Sequence, residues 1–223
     1  MTDRCAPNPD RAALARVGKA VRARLADDPS LYRFPTDTAE LYAVADFLSG
    51  DECARIIALI DTVARPSEVF EEVYQHLYRT SYSGDVDRGD SIVKMVERRI
   101  CDLVGIERSW GESIQGQRYA PGQEFKQHCD WFDTTAQYWK NEVRRGGQRS
   151  WTAMVFLNAV EQGGETEFPK LEISITPQQG ALLLWNNARP NGEPNGDTLH
   201  AALPVERGVK YVITKWFRTR EWV

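Results

Sequence analysis

The chain has 223 residues, a net charge of −4 and a hydrophobic fraction of 42%. This length fits one domain with a substantial core. The acidic balance argues against a general affinity for nucleic acid or anionic membranes, and no apolar run approaches the roughly 18 residues that a membrane-spanning helix needs. We therefore expect neither a nucleic-acid partner nor a membrane association.

The cysteines give an expectation about the cellular compartment. The four cysteines, Cys5, Cys53, Cys101 and Cys129, show no metal-type or redox-type pair spacing, which is typical of free thiols in a reducing cytoplasm. The stretch Met1 to Asn8 is polar and lacks the apolar core of a signal peptide. We therefore expect a cytoplasmic protein.

The first hundred residues predict amphipathic helices. Asn8 caps and Pro9 opens the first helix, Ser49 caps the second, and the third spans about Asp90 to Val104. Apolar residues recur at helical spacing in these segments: Leu14, Val17, Val21 and Leu25; Ile56, Ile57 and Ile60; Ile92, Val96, Ile100 and Leu103. Between the second and third helices, Ser81 to Gly89 predicts a polar loop rich in turn-forming residues.

From about Glu112 the pattern changes to that of short strands. Seven segments are predicted: Ser113–Tyr119, Glu124–Trp131, Trp151–Asn158, Leu171–Thr176, Ala181–Asn186, Thr198–Pro204 and Lys210–Arg218. Strands without intervening helices indicate a sandwich or barrel, and we expect a jelly roll. We predict one α+β domain over residues 1–223, in which residues 1–110 are mainly helical support and residues 111–223 form the jelly-roll core. Residues 133–148 fit no strand and predict a long mobile excursion.

Two of the three histidines suggest a metal site. His128 and Asp130 are two residues apart on a predicted strand, so their side chains point to the same side, and His200 follows far downstream. Two imidazoles and one carboxylate form the facial triad of non-haem Fe(II) oxygenases. His-x-Asp pairs also arise by chance. The alternative interpretation, in which His128 and Asp130 belong to the polar face of an exposed strand, therefore remains at this stage. Cys129 should point away and pack, and His76 is assigned to the surface or a structural role.

Lys210 suggests an anion site near that metal site. Strand alternation places Lys210, Val212, Thr214 and Trp216 on one face of the last predicted strand. The lysine is either solvated at the strand end or buried with a carboxylate partner, because lysine is seldom buried unpaired. If it is buried, an anionic co-substrate could supply the carboxylate, with Tyr119 and Thr166 as neutral hydrogen-bonding groups.

A set of motifs between about Arg79 and Arg218 resembles the prolyl 4-hydroxylase branch of the 2-oxoglutarate- and Fe(II)-dependent dioxygenases. Each motif is weak alone, but their order and spacing make the resemblance specific. The motifs are Arg79-Thr80-Ser81, Arg118-Tyr119-Ala120-Pro121-Gly122-Gln123, His128-Cys129-Asp130, Gly147-Gln148-Arg149, Gly163-Gly164-Glu165-Thr166-Glu167-Phe168-Pro169, the run from Pro177 to Asn186, His200-Ala201-Ala202-Leu203-Pro204-Val205, and Gly208-Val209-Lys210 through Lys215-Trp216.

The resemblance implies a double-stranded β-helix fold and a role for nine residues. It assigns His128, Asp130 and His200 to the iron; Tyr119, Thr166 and Lys210 to 2-oxoglutarate; and Arg79, Arg149 and Trp216 to the substrate. A lysine at position 210 favours the collagen-type branch over the oxygen-sensing branch. The implied cofactors and co-substrates are Fe(II), 2-oxoglutarate and O2, with ascorbate (vitamin C) as a further candidate.

The implied reaction is hydroxylation of an unactivated C–H bond, with release of succinate and CO2. A peptidyl proline in a peptide or protein is the expected substrate. A free amino acid or small metabolite, or a non-catalytic jelly-roll binding module, remain alternatives. A nucleic-acid demethylase is disfavoured because it would call for an arginine anchor and a basic groove. The oligomeric state stays open: the amino-terminal helices could serve a homodimer or pack on the sheet.

Overall fold

The computed structural model of the chain describes residues 9–67 and 78–223. Within these ranges the helices are α1 (Arg11–Leu25), α2 (Gly50–Val63), α3 (Ser91–Val104) and the short α4 (Trp139–Glu142). The predicted cap Ser49 is confirmed, since it forms a capping box with Glu52. Asp90, predicted only as the approximate start of the third helix, is its N-cap, and its side chain accepts a hydrogen bond from the amide of Ile92. The first helix begins at Arg11, and the predicted cap Asn8 lies outside the described residues.

The strands form one large and one small antiparallel sheet with a further two-stranded ribbon. In chain order they are β1 (Leu31–Arg33), β2 (Leu41–Val44), β3 (Arg65–Pro66), β4 (Tyr82–Asp85), β5 (Gln115–Tyr119), β6 (Phe125–His128), β7 (Arg149–Phe156), β8 (Gln162–Gly163), β9 (Thr166–Phe168), β10 (Ile173–Ile175), β11 (Leu182–Asn186), β12 (His200–Ala202), β13 (Val205–Arg207) and β14 (Lys210–Arg218). The large sheet has the order β1-β2-β11-β7-β14-β5-β4-β3, and the small sheet has the order β10-β9-β12-β6. Together with the helices, this architecture confirms the predicted α+β jelly roll.

The large sheet includes strands from the region that was predicted as helical. The expected loop Ser81 to Gly89 contains β4, which pairs with β5, and β2 pairs with β11 at the other end of the sheet. In β4, Gly84 lies so close to α2 that an added Cβ would meet the carbonyl oxygen of Val63 at 2.6 Å. The glycine in this segment therefore allows close packing against α2. Pairing with β5 makes the segment a strand although its residues favour turns. The short strands β8, β9 and β13 were also missed, and the segment predicted from Leu171 to Thr176 is reduced to β10.

The three long helices cover the outer face of the large sheet, as predicted. Apolar side chains from α1, α2 and α3 share one buried cluster with residues of β7, β11 and β14; the cluster includes Val21, Leu25, Ile56, Ile60, Val96, Ile100, Trp151, Val155, Leu184, Ile213 and Phe217. A second cluster lies on the inner face, between the large sheet and the small one; it includes Tyr119, Met154, Phe156, Phe168, Trp185 and Val212. Because the helices cover the outer face, a site for a ligand is expected on the inner face, between the two sheets. None of the helices in the described ranges is long and apolar enough to cross a membrane.

Residues 133–148 form a closed loop, named here the 133–148 loop. The side chain of Gln148 fastens its neck: Oε1 accepts a hydrogen bond from the amide of Phe132 (2.7 Å), and Nε2 donates to the carbonyl of Phe132 (2.9 Å). The amide of Gln148 donates to Asp10 Oδ2 (2.7 Å), at the start of α1. As predicted, the segment contains no strand, and long-range hydrogen bonds anchor its ends. Its mobility stays a prediction.

Candidate active site

The structure brings His128, Asp130 and His200 together on the small sheet. His128 at the end of β6 is the register partner of His200 at the start of β12. The Nε2 atom of His128 lies 3.8 Å from Asp130 Oδ1, and the Nε2 atom of His200 lies 3.9 Å from Asp130 Oδ2. The possible ligand atoms of the three residues lie within 4.8 Å of one another. They can therefore reach one shared ion from one side.

The hydrogen bonds of the two imidazoles prepare them as ligands. His128 Nδ1 contacts the carbonyl of Lys126 at 2.8 Å, and His200 Nδ1 contacts the carbonyl of Thr198 at 3.0 Å. Because a carbonyl only accepts, each Nδ1 carries the proton and each Nε2 keeps its lone pair for a metal. Burial, followed by the nearby His200, lowers the pKa of His128 to about 3, which keeps its imidazole neutral.

Asp130 is held as a carboxylate by groups on the large sheet. Thr152 Oγ1 donates to Asp130 Oδ2 (2.8 Å), and Asn187 Nδ2 donates in turn to Thr152 Oγ1 (2.9 Å). Burial acts to raise the pKa of Asp130, but the neighbouring histidines, the Arg149 guanidinium and the Thr152 hydrogen bond outweigh it and hold that pKa below its usual value. Sequence reasoning missed Thr152 and Asn187. The available signal for Thr152 was a hydroxyl between Trp151 and Ala153, in the mainly apolar part of β7.

Aromatic rings fix the orientation of the histidines. Phe125 stacks on His128 with ring centroids 3.6 Å apart, and Trp185 meets the ring of His200 edge-on at 5.0 Å. Two imidazoles, one carboxylate and an open opposite side are the donor set and geometry that suit Fe(II) in oxygenases. The residues present therefore fit a ferrous ion. Among the described residues, this triad is the group of His, Cys, Asp and Glu side chains that could hold a metal.

Cys129 and His76, the other two residues considered near the metal site in the sequence, are not part of the triad that the structure describes. Cys129 lies outside the group of possible ligands, and burial raises the pKa of its thiol to about 12. A thiol with such a pKa stays protonated at neutral pH, in keeping with the predicted packing role. His76 lies outside the described residues.

Lys210 is the second chemical feature of the site. Its side chain is 1% exposed, which excludes the alternative of a solvated strand-end lysine. Lys210 Nζ lies 3.3 Å from Thr166 Oγ1 and 5.5 Å from the ring centroids of Tyr119 and Phe156. No carboxylate of the described residues forms an ion pair with it. Burial lowers its pKa to about 7, and only the more distant charge of Glu165 opposes that shift.

Tyr119 stands next to Lys210 because the two residues are register partners on β5 and β14. Its hydroxyl donates to Gln117 Oε1 at 2.7 Å. Burial raises the pKa of Tyr119, so the hydroxyl keeps its proton. A buried cation, a neutral hydroxyl and the Thr166 hydroxyl together fit the distal carboxylate of a dicarboxylic acid such as 2-oxoglutarate.

One pocket connects the metal triad and Lys210. Its space, including the open mouth, is about 390 Å³. It is lined by Gln117, Tyr119, Phe125, His128, Asp130, Met154, Thr166, Trp185, His200, Ala202, Lys210, Val212, Thr214 and Trp216. Strand β14 thus contributes the four residues that alternation had placed on one face. Two tryptophans, Trp185 and Trp216, belong to this lining.

The two arginines with a predicted substrate role lie beside the pocket and are already engaged. Arg149 forms a two-point ion pair with Glu112 (2.7 and 2.8 Å) and stacks on Trp216 with its Cζ 4.0 Å from a ring centroid. Arg79 donates to Gln115 Oε1 (2.9 Å) and lies 4.7 Å above the ring of Phe125. Their contact with a substrate stays a prediction.

Known proteins share these features. The family model described as the 2OG-Fe(II) oxygenase superfamily matches residues 114–218. Probable prolyl 4-hydroxylase 3 of Arabidopsis thaliana is 32% identical over 205 residues, which cover 79% of this chain and 68% of the plant protein. The chain belongs to the prolyl 4-hydroxylase-like 2OG-Fe(II) oxygenases. Prolyl 4-hydroxylase 5 of the same plant is 31% identical, with coverage of 79% and 67%.

This dioxygenase also resembles proteins of known structure. The collagen prolyl hydroxylase of Paramecium bursaria Chlorella virus-1, in a 2-oxoglutarate complex, is 27% identical with a TM-score of 0.64, and the match covers 80% of this chain and 95% of the viral one. A prolyl hydroxylase of Trichoplax adhaerens, solved with a hypoxia-inducible-factor peptide, has a TM-score of 0.61 at 16% identity and shows the shared fold alone. Family membership implies Fe(II), 2-oxoglutarate and O2 as the cofactor and co-substrates.

Proposed function

We propose that this dioxygenase hydroxylates a proline within a peptide or protein, as a prolyl 4-hydroxylase of the collagen type. The observation that carries the proposal is one pocket that holds both a His-Asp-His triad and a buried lysine without a carboxylate partner among the described residues. When bound, Fe(II) with 2-oxoglutarate supplies the oxidation of an unactivated C–H bond by O2, with release of succinate and CO2. The names of the plant and viral relatives support proline as the target.

The residues of the chain have separate tasks in this proposal. His128, Asp130 and His200 hold the iron through two Nε2 atoms and a carboxylate. Lys210 in its protonated form pairs with the distal carboxylate of 2-oxoglutarate, while Tyr119 and Thr166 direct neutral hydrogen bonds to the same carboxylate. All six of these residues line the pocket. The apolar part of the lining consists of Phe125, Met154, Trp185, Ala202, Val212 and Trp216. Water displaced from this part when the site is filled strengthens the charge interactions inside the pocket.

The substrate side of the site is proposed to be the surface around Arg79, Arg149 and Trp216. The guanidinium of Arg149 is paired with Glu112 and therefore does not offer a free charge to a substrate. Arg149 instead stacks on Trp216 and holds the ring of that residue in place. A flat aromatic surface suits an extended proline-rich segment. Ascorbate as a reducing cofactor and a cytoplasmic location complete the proposal; the free thiols of Cys53 and Cys101 support a reducing compartment.

The test is a turnover assay with Fe(II), 2-oxoglutarate, ascorbate and a library of proline-containing peptides. Hydroxylated peptides should gain about sixteen daltons, one oxygen atom, in step with succinate formation. Turnover of free proline or another small metabolite, with every peptide unmodified, would replace the peptide substrate. Binding of 2-oxoglutarate without succinate formation from any substrate would favour a binding module.

The metal ligands are tested separately. His128→Ala and Asp130→Ala should lose iron binding and abolish peptide-coupled succinate formation, because each removes one of three ligands. Cys129→Ser is the matched control, since this residue lies between the two but outside the group of possible ligands. Either alanine variant retaining both its iron and its activity would overturn the assignment.

A further inference from the structure

The hydroxyl of Tyr119 belongs to a chain of hydrogen bonds that leads away from the co-substrate pocket. Tyr119 Oη donates to Gln117 Oε1 (2.7 Å), and Gln117 Nε2 donates to Thr214 Oγ1 (3.0 Å) and, at 3.4 Å, to Gln115 Oε1. Gln115 Oε1 also accepts a hydrogen bond from Arg79 Nη2 (2.9 Å). We name Tyr119, Gln117, Gln115 and Arg79 the Gln117 relay.

The relay runs along one face of strand β5. Residues 115, 117 and 119 alternate along the strand and point to the inner face, where Gln117 is 6% exposed and Tyr119 is 2% exposed. At one end Tyr119 adjoins Lys210, its register partner, and at the other end Gln115 meets Arg79. The relay therefore connects the co-substrate end of the pocket with the proposed substrate side.

The Tyr119 hydroxyl has one proton, and two acceptors compete for it: Gln117 Oε1 and the carboxylate of 2-oxoglutarate. While it donates to Gln117, it has no proton for the carboxylate of 2-oxoglutarate. The amide of Gln117 carries both an acceptor and a donor end, so a half-turn about its last bond exchanges them. After this turn Nε2 donates to Tyr119, and the Thr214 hydroxyl, which donates to no described residue in the present arrangement, can donate to Gln117 Oε1. The Tyr119 proton then points to the co-substrate.

The half-turn affects Gln115 as well. It would bring Gln117 Oε1 opposite Gln115 Oε1, and two facing carbonyl oxygens repel each other. Relief requires Gln115 to turn too, which breaks its hydrogen bond from Arg79. We propose that Gln117 is a positioning residue that couples 2-oxoglutarate binding at Tyr119 to release of Arg79 from Gln115 on the substrate side. This inference rests on the proposed function. It makes Arg79 Nη2 available for a substrate carbonyl after 2-oxoglutarate has bound, while Arg79 Nε keeps its hydrogen bond to Ser81 Oγ (3.2 Å).

The test measures the affinity for 2-oxoglutarate in a double-mutant cycle. The full chain is loaded with Mn(II) without oxygen, and the fluorescence of its tryptophans, of which Trp185 and Trp216 line the pocket, reports binding without turnover. Arg79→Lys keeps the positive charge but loses the planar geometry of the guanidinium. With Gln117 present, it should lower the Kd for 2-oxoglutarate by about three- to tenfold, because the hydrogen bond that opposes the half-turn is weakened. In the Gln117→Met background the same substitution should change the Kd less than about twofold.

A second pair of variants guards against a folding effect of any one substitution. Gln115→Met should also lower the Kd with Gln117 present and have little effect with Gln117→Met. Gln137→Met, at an exposed position in the 133–148 loop, is the control and should leave the Kd unchanged. Equal effects in both backgrounds, or none in either, would refute the coupling while the proposed function stands. Absence of 2-oxoglutarate binding by the unaltered enzyme would refute both.

Discussion

Strand β14 buries two lysines, one on each face, and they differ in where their negative partner comes from. Lys215 faces the helices, where its Nζ lies 2.5 Å from Glu97 Oε1 and 2.5 Å from the carbonyl of Glu112. Lys210 faces the pocket, where its described hydrogen-bond partner is the neutral Thr166 hydroxyl at 3.3 Å. Both side chains are at most 1% exposed, so burial alone does not distinguish them.

The difference separates a structural charge from a binding charge. A buried ion pair completed within the protein holds elements together, and losing one partner is costly because the other remains as an uncompensated charge. A buried cation without an internal partner costs free energy until a ligand supplies the anion. Lys215 therefore ties α3 to the sheet, whereas Lys210 is available to a carboxylate that enters the pocket.

The largest expected effect is on stability, from Lys215→Met. Removing this lysine leaves Glu97 buried, and we expect a loss of about 3 kcal/mol in the free energy of unfolding. That is the lower end of the usual range, because Arg88 and Arg108 also pair with Glu97. Urea unfolding followed by circular dichroism measures it. Lys210→Met is the matched control and should cost less than about 1 kcal/mol. Equal losses in the two variants would remove the distinction.

The next effect is on co-substrate binding, from Lys210→Met. Losing a charge-assisted contact worth roughly 1.5–3 kcal/mol should weaken 2-oxoglutarate binding by about ten- to a hundredfold. Calorimetry on the Mn(II)-loaded, oxygen-free protein measures the Kd. An unchanged Kd would show that Lys210 does not bind the co-substrate carboxylate.

The pH dependence sharpens the contrast further. Burial lowers the pKa of Lys210 to about 7 in the folded chain, against 10.5 for a free lysine. Between these values the unfolded chain binds the extra proton, so stability without ligand should rise with pH from about 7 towards 10.5. Binding of 2-oxoglutarate needs the protonated lysine, so its Kd should increase up to about tenfold per pH unit above 7. Lys210→Arg stays charged and should lose both trends; persistence of either trend in that variant would assign it to another group.

The smallest effect is expected from Thr166→Val. This substitution preserves shape but removes the hydroxyl next to Lys210 Nζ. A neutral hydrogen bond of about 0.5–1.5 kcal/mol corresponds to a two- to tenfold higher Kd for 2-oxoglutarate. Thr135→Val, at an exposed position of the 133–148 loop, serves as the control. A loss as large as that of Lys210→Met would mean that Thr166 contributes more than one neutral contact.

Local signals explain what the sequence predicted well. Ser49 satisfies an amide of the first helical turn only three residues away, so this cap is visible in the sequence itself. The alternation along β14 likewise assigns Lys210 and Trp216 to one face without knowledge of any other strand. The His128 and Asp130 pair follows from the same two-residue period.

Long-range register explains what could not be predicted. Thr152 reaches Asp130 across 22 residues, and Glu112 meets Arg149 across 37. Such pairs depend on which strands become neighbours, and one sequence does not state that order. The strand β4 was missed for a similar reason, because its Tyr-Ser-Gly-Asp composition reads as a turn until β5 lies beside it.

The neck of the 133–148 loop has a consequence for how this enzyme could diversify. One glutamine side chain joins the two ends of the loop, immediately beyond Asp130 and before Arg149. The entropic cost of closing a longer loop grows only logarithmically with its length. Insertions at the tip can therefore accumulate at little thermodynamic expense, and new recognition surfaces can evolve there while the catalytic geometry is inherited unchanged.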